Sequence, residues 1–415
     1  MNPWTRANVQ LIAGIMSGFI LWGCESEATG PAEELEKLPR PLTSLETSVV
    51  TGSNTFAFDL LRAVNAGAEG ENFFVSPLSV SMALGMTLNG AAGETYNEMQ
   101  AMLGFGTLSQ EEINEAYRGL IDLLLSLDPN VEMAVGNSIW YRDGFPVDSA
   151  FLDAVVNAFD AQIEPANFED PATVDRINGW VRDVTRDRIQ ELLDRISRDE
   201  VMFLINAVYF KGNWRAPFDP QRTVDDDFEG LDGQSTPVRM MNADGTFLHS
   251  SGEGYRAIEL PYGNGAFAMT IVLPAGDSDV NELIEELNGG RWTEVVNGMS
   301  EQRLMLAVPR FELEYDVKLN DPLKSMGMEA AFVDSTADFS RISPAGGLYV
   351  TRVEHSSFVK VDEEGTEAAA ATNVGIGIVS APPSFRVDRP FLFAIRERFS
   401  GTILFSGKIV SLEEA

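Results

Sequence analysis

Residues 361–383 read Val-Asp-Glu-Glu-Gly-Thr-Glu-Ala-Ala-Ala-Ala-Thr-Asn-Val-Gly-Ile-Gly-Ile-Val-Ser-Ala-Pro-Pro. Local preferences conflict here. Ala368, Ala369, Ala370 and Ala371 favour helix, yet they lie between Gly365 and a Gly375-Ile376-Gly377 run that does not. At period 2 one face is Thr366, Ala368, Ala370, Thr372, Val374 and Ile376, small to apolar and without charge. The other is Glu367, Ala369, Ala371, Asn373, Gly375 and Gly377, polar or very small. This is the pattern of a strand with one buried face. It is made of residues with little strand propensity, small enough to slide between others.

Outward from this stretch, helical and strand signals are interleaved without strict βα alternation. Ser76-Pro77 offers an N-cap with proline at the first helical position, followed by Val80, Ala83, Leu84 and Leu88. Ile113, Tyr117, Leu120 and Leu124 recur at helical spacing after Glu111 and Glu112. Phe311, Leu313 and Tyr315 alternate with Arg310, Glu312 and Glu314, a half-buried strand. Residues 201–210 are apolar except for Asn206 and rich in Val, Ile, Phe and Tyr, which suits a strand buried on both faces. Residues 391–395 and 402–405 flank Ser400-Gly401, a hairpin signal. The expected class is α+β with largely antiparallel pairing, in one domain over residues 48–415.

The N-terminus reads as an address. Residues 1–23 carry Arg6 and then a short apolar run from Leu11 to Trp22, a signal-peptide core rather than a span of about 20 residues. Leu21-Trp22-Gly23-Cys24 resembles the bacterial lipobox, from which Trp22 departs, and this makes Cys24 the expected lipidation site. Residues 24–47, acidic and proline-containing, read as a tether. The expected location is outside the cytoplasm, lipid-anchored to a bacterial cell envelope, at the outer membrane in a Gram-negative host.

Composition removes several functions. The chain has 415 residues and a net charge of −33, with no dense basic patch, so a nucleic-acid partner is excluded. With Cys24 as the one cysteine, no intramolecular disulfide forms, and two histidines leave no multi-His metal site. A G-x-S-x-G elbow, a P-loop and an H-E-x-x-H are absent. Asp225-Asp226-Asp227 reads as a solvated turn, lacking the glycine and terminal Glu of a calcium loop. His249, among Ser250, Ser251 and Gly252, reads as a surface loop residue, and His355 as a buried, hydrogen-bonded one. No cofactor, metal or catalytic residue is expected.

The chain resembles the serpin family. The resemblance rests on Glu363, Glu364, Gly365, Thr366, Glu367 and the four alanines, which match the hinge of inhibitory members. It continues in Asn72-Phe73-Phe74-Val75-Ser76-Pro77-Leu78-Ser79, in Ile177-Asn178-x-Trp180-Val181 with Thr185, and in the run from Asn206 to Trp214. Glu259-Leu260-Pro261-Tyr262, Pro309-Arg310-Phe311, Asp388-Arg389-Pro390-Phe391 and Phe405-Ser406-Gly407 complete it. One departure is Arg186-Asp187-Arg188, where family members usually carry Asn-Gly-Lys.

The resemblance implies a serpin fold, with mixed sheets, a helical subdomain and an exposed reactive loop. It implies a monomeric suicide inhibitor, metastable until a target serine protease cleaves the loop, which then enters the central sheet as a new strand while the protease is held as a covalent acyl complex. Fourteen residues beyond Gly365 the reactive bond falls at Val379–Ser380, with Ile378–Val379 as the neighbouring choice. Val379 suits an elastase-like or subtilisin-like protease. Ser76, Ser79, Asn206 and His355 match a hydrogen-bonded cluster beneath the opening sheet, and Arg310 and Glu363 an ion pair at its top near Trp214. The alternatives are a non-inhibitory binding protein of the same fold and an inhibitor of papain-like cysteine proteases. Membrane contact is expected through the lipid alone.

Overall fold

The computed structural model describes residues 34–276, 278–366 and 382–414. Its helices are α1 (Ser44–Asn65), α2 (Pro77–Leu88), α3 (Gly93–Met102), α4 (Gln110–Ser126), α5 (Ser149–Phe159), α6 (Ala172–Val184), α7 (Val280–Glu286), α8 (Gly289–Asn297) and α9 (Asn320–Ser325). The strands are β1 (Phe73–Val75), β2 (Val131–Arg142), β3 (Gln162–Ala166), β4 (Met202–Asn213), β5 (Val224–Glu229), β6 (Ser235–Gly252), β7 (Tyr255–Pro261) and β8 (Phe267–Pro274). They continue with β9 (Ser300–Pro309), β10 (Phe311–Lys318), β11 (Glu354–Val361), β12 (Gly365–Thr366), β13 (Ser384–Arg386), β14 (Phe391–Glu397) and β15 (Ile403–Ile409).

The described residues form three sheets. The largest runs β1-β15-β14-β8-β7-β6-β9-β13, with β5 on β6; a second runs β12-β4-β2-β3; the third is β10-β11. Pairing is antiparallel except between β2 and β3 and between β13 and β9. The α+β expectation holds.

The local signals translate directly. Ser76 caps α2 by accepting from the Ser79 N–H, with Pro77 at the first position. Ile113, Tyr117, Leu120 and Leu124 are the buried face of α4. β14 and β15 form the hairpin, and Gly401 takes a φ of 77° in its turn. β4 is covered on both sides because its two faces meet different layers. Ile205 and Phe203 join Ile177 and Val181 of α6, whereas Phe210 joins the main core.

Three expectations need correction. The folded domain begins before residue 48. Thr43 and Glu46 form a capping box that starts α1, and the Arg40 guanidinium pairs with buried Glu46. Leu35, Leu38, Leu42 and Leu45 pack on the core, so the end of the acidic stretch is anchored by its leucines. Asp225, Asp226 and Asp227 lie in β5 rather than a turn, and Asp226 pairs with Arg386 at 2.7 Å. His249 is a half-buried residue of β6, opposite Ile258 and Ser300 and edge-on to Phe385. In both cases strand pairing overrode a local composition that favours turns. The signal segment, Cys24, Glu367, the four alanines, Val379 and Ser380 lie outside the described residues.

Candidate functional site

β4 and β11 border a groove. Among the described residues no ladder joins them; one belongs to the four-stranded sheet and the other to the two-stranded sheet. Val208, Tyr209 and Phe210 line one wall and Phe358 and Lys360 the other, with Phe405 below. Lower down, Ser76, Ser79, Asn206 and His355 line it together. The four residues singled out from the sequence are thus brought to one place from α2, its cap, β4 and β11.

Their hydrogen bonds are specific. The Ser76 hydroxyl donates to Leu404 O at 2.8 Å and accepts from the Ser79 N–H at 3.2 Å. The Ser76 N–H donates to His355 Nε2 at 3.0 Å. The Ser79 hydroxyl donates to Asn206 O at 3.4 Å, and Asn206 Nδ2 donates to Asn137 Oδ1 at 2.7 Å. Burial pushes the His355 imidazole down to about 4. The ring is therefore neutral near pH 7, and accepting at Nε2 places its proton on Nδ1. It acts here as an acceptor, not as a proton shuttle. Asn206 Oδ1 is buried and accepts no hydrogen bond among the described residues.

Above the groove sits a second constellation. Glu363 is buried, paired with the Arg310 guanidinium and hydrogen-bonded by the Thr223 hydroxyl. Burial raises its carboxyl, but these two partners outweigh that and hold it below the ordinary value. Trp214 stacks on Tyr262 with ring centroids 4.5 Å apart, and its indole N–H donates to Asp362 O at 2.9 Å. The Trp214 N–H donates to Glu364 O and the Phe218 N–H to Glu363 O, both at 2.8 Å. The backbone of residues 362–364 is therefore clamped to the segment after β4.

Immediately beyond, the chain turns onto β4. Gly365 pairs with Asn213 and Thr366 with Gly212, antiparallel. Gly365 has a φ of 150°, and a Cβ there would stand 2.2 Å from Gly212 O. No other residue fits this approach. The chain is described again from Pro382, and the Met305 N–H donates to Pro383 O at 2.9 Å beside β13.

Sequence reasoning missed three groove residues. Ser357, two positions after His355 and on the same strand face, donates to Phe74 O; period 2 could have found it. Asn137 meets Asn206 only through the register of β2 on β4, and Thr223 meets Glu363 only through the tertiary fold. Neither leaves a local signal.

Comparison with known proteins shows the family. Residues 51–412 match the family described as Serpin (serine protease inhibitor). Human Serpin B11 is 33% identical over 390 residues, covering 88% of this chain and 99% of that one. The native structure of tengpin, a thermophilic serpin, has a TM-score of 0.81 at 30% identity, over 92% of this chain and 97% of that one. Human thyroxine-binding globulin with its hormone has a TM-score of 0.82 at 26% identity, over 89% of this chain and all of that one. By sequence and by structure along most of its length, the chain belongs to the serpin family, whose members are generally protease inhibitors rather than enzymes.

Proposed function

We propose that this protein is a suicide inhibitor of serine proteases of elastase-like or subtilisin-like specificity, carried on a lipid at Cys24. The observation that carries the reading is the register at Gly365 and Thr366 beside the open groove. Were the loop to enter the sheet in that register, Ala368 would meet Phe210, Ala370 Val208, Thr372 Asn206, Val374 Leu204 and Ile376 Met202. Phe210 belongs to the main core, and Val208, Leu204 and Met202 are half-buried against it. The uncharged face of the loop would then have the phase that points inward. The other face, polar or very small, would turn toward the side of β4 that meets α6. Thr372 would reach the level of the unpaired Asn206 Oδ1.

The chemistry is the protease's own. Its serine attacks the Val379 carbonyl, the peptide bond breaks, and the Ser380 amine departs with the proton delivered by the protease. The ester left on Val379 holds the protease while residues 366–376 enter the groove. Entry adds ladder hydrogen bonds on both sides and buries Val374 and Ile376.

The test is incubation with pancreatic elastase and with a subtilisin. An SDS-resistant complex, with mass spectrometry placing the cut at Val379–Ser380, supports the reading. Val379→Arg should redirect inhibition to trypsin-like proteases. Clean cleavage with no complex and an unchanged melting curve would instead favour a binding protein of the same fold, such as thyroxine-binding globulin.

A further inference from the structure

The strand that receives the chain after the bait bond is held from several sides. Phe385 of β13 is buried, edge-on to His249 of β6 with ring centroids 5.7 Å apart, and the Arg256 guanidinium of β7 lies 4.9 Å over its ring. Arg256 Nη2 also donates to Ser384 O at 2.9 Å. Arg386 pairs with Asp226 of β5 at 2.7 Å and with Asp388 at 3.2 Å. The Val387 N–H donates to Ala307 O at 2.9 Å. These contacts hold β13 in register on β9, where Ser384 lies opposite Met305, and Met305 lies opposite Asp244 of β6.

Phe385 points inward, so strand alternation turns Ser384 outward. The same alternation along β9 buries Leu304 and Leu306 and leaves Met305 46% exposed. Among the described residues every other methionine is buried or half-buried. Beside it, Arg303 and Asp244 pair through two hydrogen bonds of 3.1 Å, Nε to Oδ1 and Nη2 to Oδ2. A lone exposed apolar side chain needs no function. This one is set apart by its place. Ser380 is four residues from Ser384, so at most about 14 Å of chain separates them. A protease–inhibitor patch of about 800 Å² on each partner is roughly 30 Å across. A protease seated on Val379–Ser380 therefore reaches the row Ser384, Met305 and Asp244. A methionine bordered by an arginine ion pair has the composition that interfaces favour.

We propose that Met305 is a second specificity determinant: it anchors the target protease on the carboxyl side of the bait bond, and peroxide oxidation of its sulfur weakens that docking. This rests on the protease-inhibitor reading above. In the oxidation the O–O bond of hydrogen peroxide breaks and an S–O bond forms. The sulfur loses two electrons and the peroxide is reduced to water. The sulfoxide is polar, so it gives up the apolar burial that the thioether supplies. Residues 366–381 contain neither Met nor Cys, so peroxide leaves the bait itself unmodified.

The test measures the second-order association rate with pancreatic elastase and with a subtilisin, with and without brief treatment of the inhibitor by hydrogen peroxide, removed before the protease is added. Met305→Gln, polar, uncharged and of similar length, should associate roughly threefold to tenfold more slowly than wild type. Peroxide should slow wild type by a similar factor, and methionine sulfoxide reductases should restore it. Met305→Leu should keep the wild-type rate and lose the peroxide response. The melting curve and the ratio of complex to cleaved product should match in all forms, since docking precedes cleavage and insertion. Equal association by Met305→Gln and wild type overturns the anchor, as does a loss of rate that tracks a lowered melting temperature. A peroxide response that persists in Met305→Leu overturns the oxidation site. Slower cleavage of Met305→Gln with no covalent complex from any form keeps the anchor and overturns inhibition. A wild-type chain that neither protease cuts at Val379–Ser380 overturns both.

Discussion

The imidazole of His355 on β11 accepts a hydrogen bond from the backbone N–H of Ser76, the cap of α2, across 3.0 Å. This bond requires a neutral ring. Burial holds the folded-state pKa at about 4, whereas the unfolded chain takes up the proton near the ordinary 6.5. Between those values the unfolded state binds more protons, so stability rises with pH and falls as pH drops from 6.5 toward 4. The slope is about 1.4 kcal/mol per pH unit. Urea denaturation of wild type and His355→Gln at pH 4.5 and 7 checks it. Wild type should lose roughly 2–3 kcal/mol more than the variant on acidification; equal losses would contradict the assignment.

Arg310 and Glu363 form the ion pair above the groove. Arg310→Met should leave a buried carboxylate whose remaining side-chain partner is the Thr223 hydroxyl. Burial, already the largest influence on that carboxyl, would then raise its pKa. The intact chain should lose about 1–3 kcal/mol of stability near pH 7. Part of that loss should be recovered at acid pH, where Glu363 can take a proton. Differential scanning calorimetry across pH reads both effects, and an Arg310→Met curve parallel to wild type would exclude the pair as a contributor.

Thr366 pairs with Gly212, the rung after Gly365 and Asn213. Thr366→Arg would drive an unpaired charge into the sheet interior, at a cost of several kcal/mol. The bait bond lies well beyond it, so initial cleavage should be normal. Insertion should then lose the race with deacylation, and the variant should behave as a substrate. Full retention of covalent complex by Thr366→Arg would count decisively against strand insertion.

Cys24→Ser should release the protein from the membrane fraction while leaving protease inhibition in solution unchanged. Detergent partitioning of wild type and variant measures it. Identical partitioning would refute the lipid.

Much was legible in the sequence where the signal is local. Were residues 366–376 to enter a sheet, their period-2 alternation would put the uncharged side chains on one face, because successive strand residues point to opposite sides. Ser76-Pro77, the spacing of Ile113 to Leu124 and the glycine in Ser400-Gly401 mark element ends and faces through caps, periodicity and turn geometry, each decided within a few residues. The family pattern added the residues of the groove floor. The tertiary structure decided what those faces meet. That Gly365 lands on Asn213 follows from how β4 is placed, with the missing side chain of Gly365 permitting the approach. His249 and Asp225 to Asp227 carry turn-like neighbours yet lie in strands, since ladder pairing outweighs local preference. The meeting of Thr223 with Glu363, and of Arg188 with Phe358, joins residues 140 and 170 positions apart. Contacts at such separation depend on chain topology, which short-range patterns do not encode.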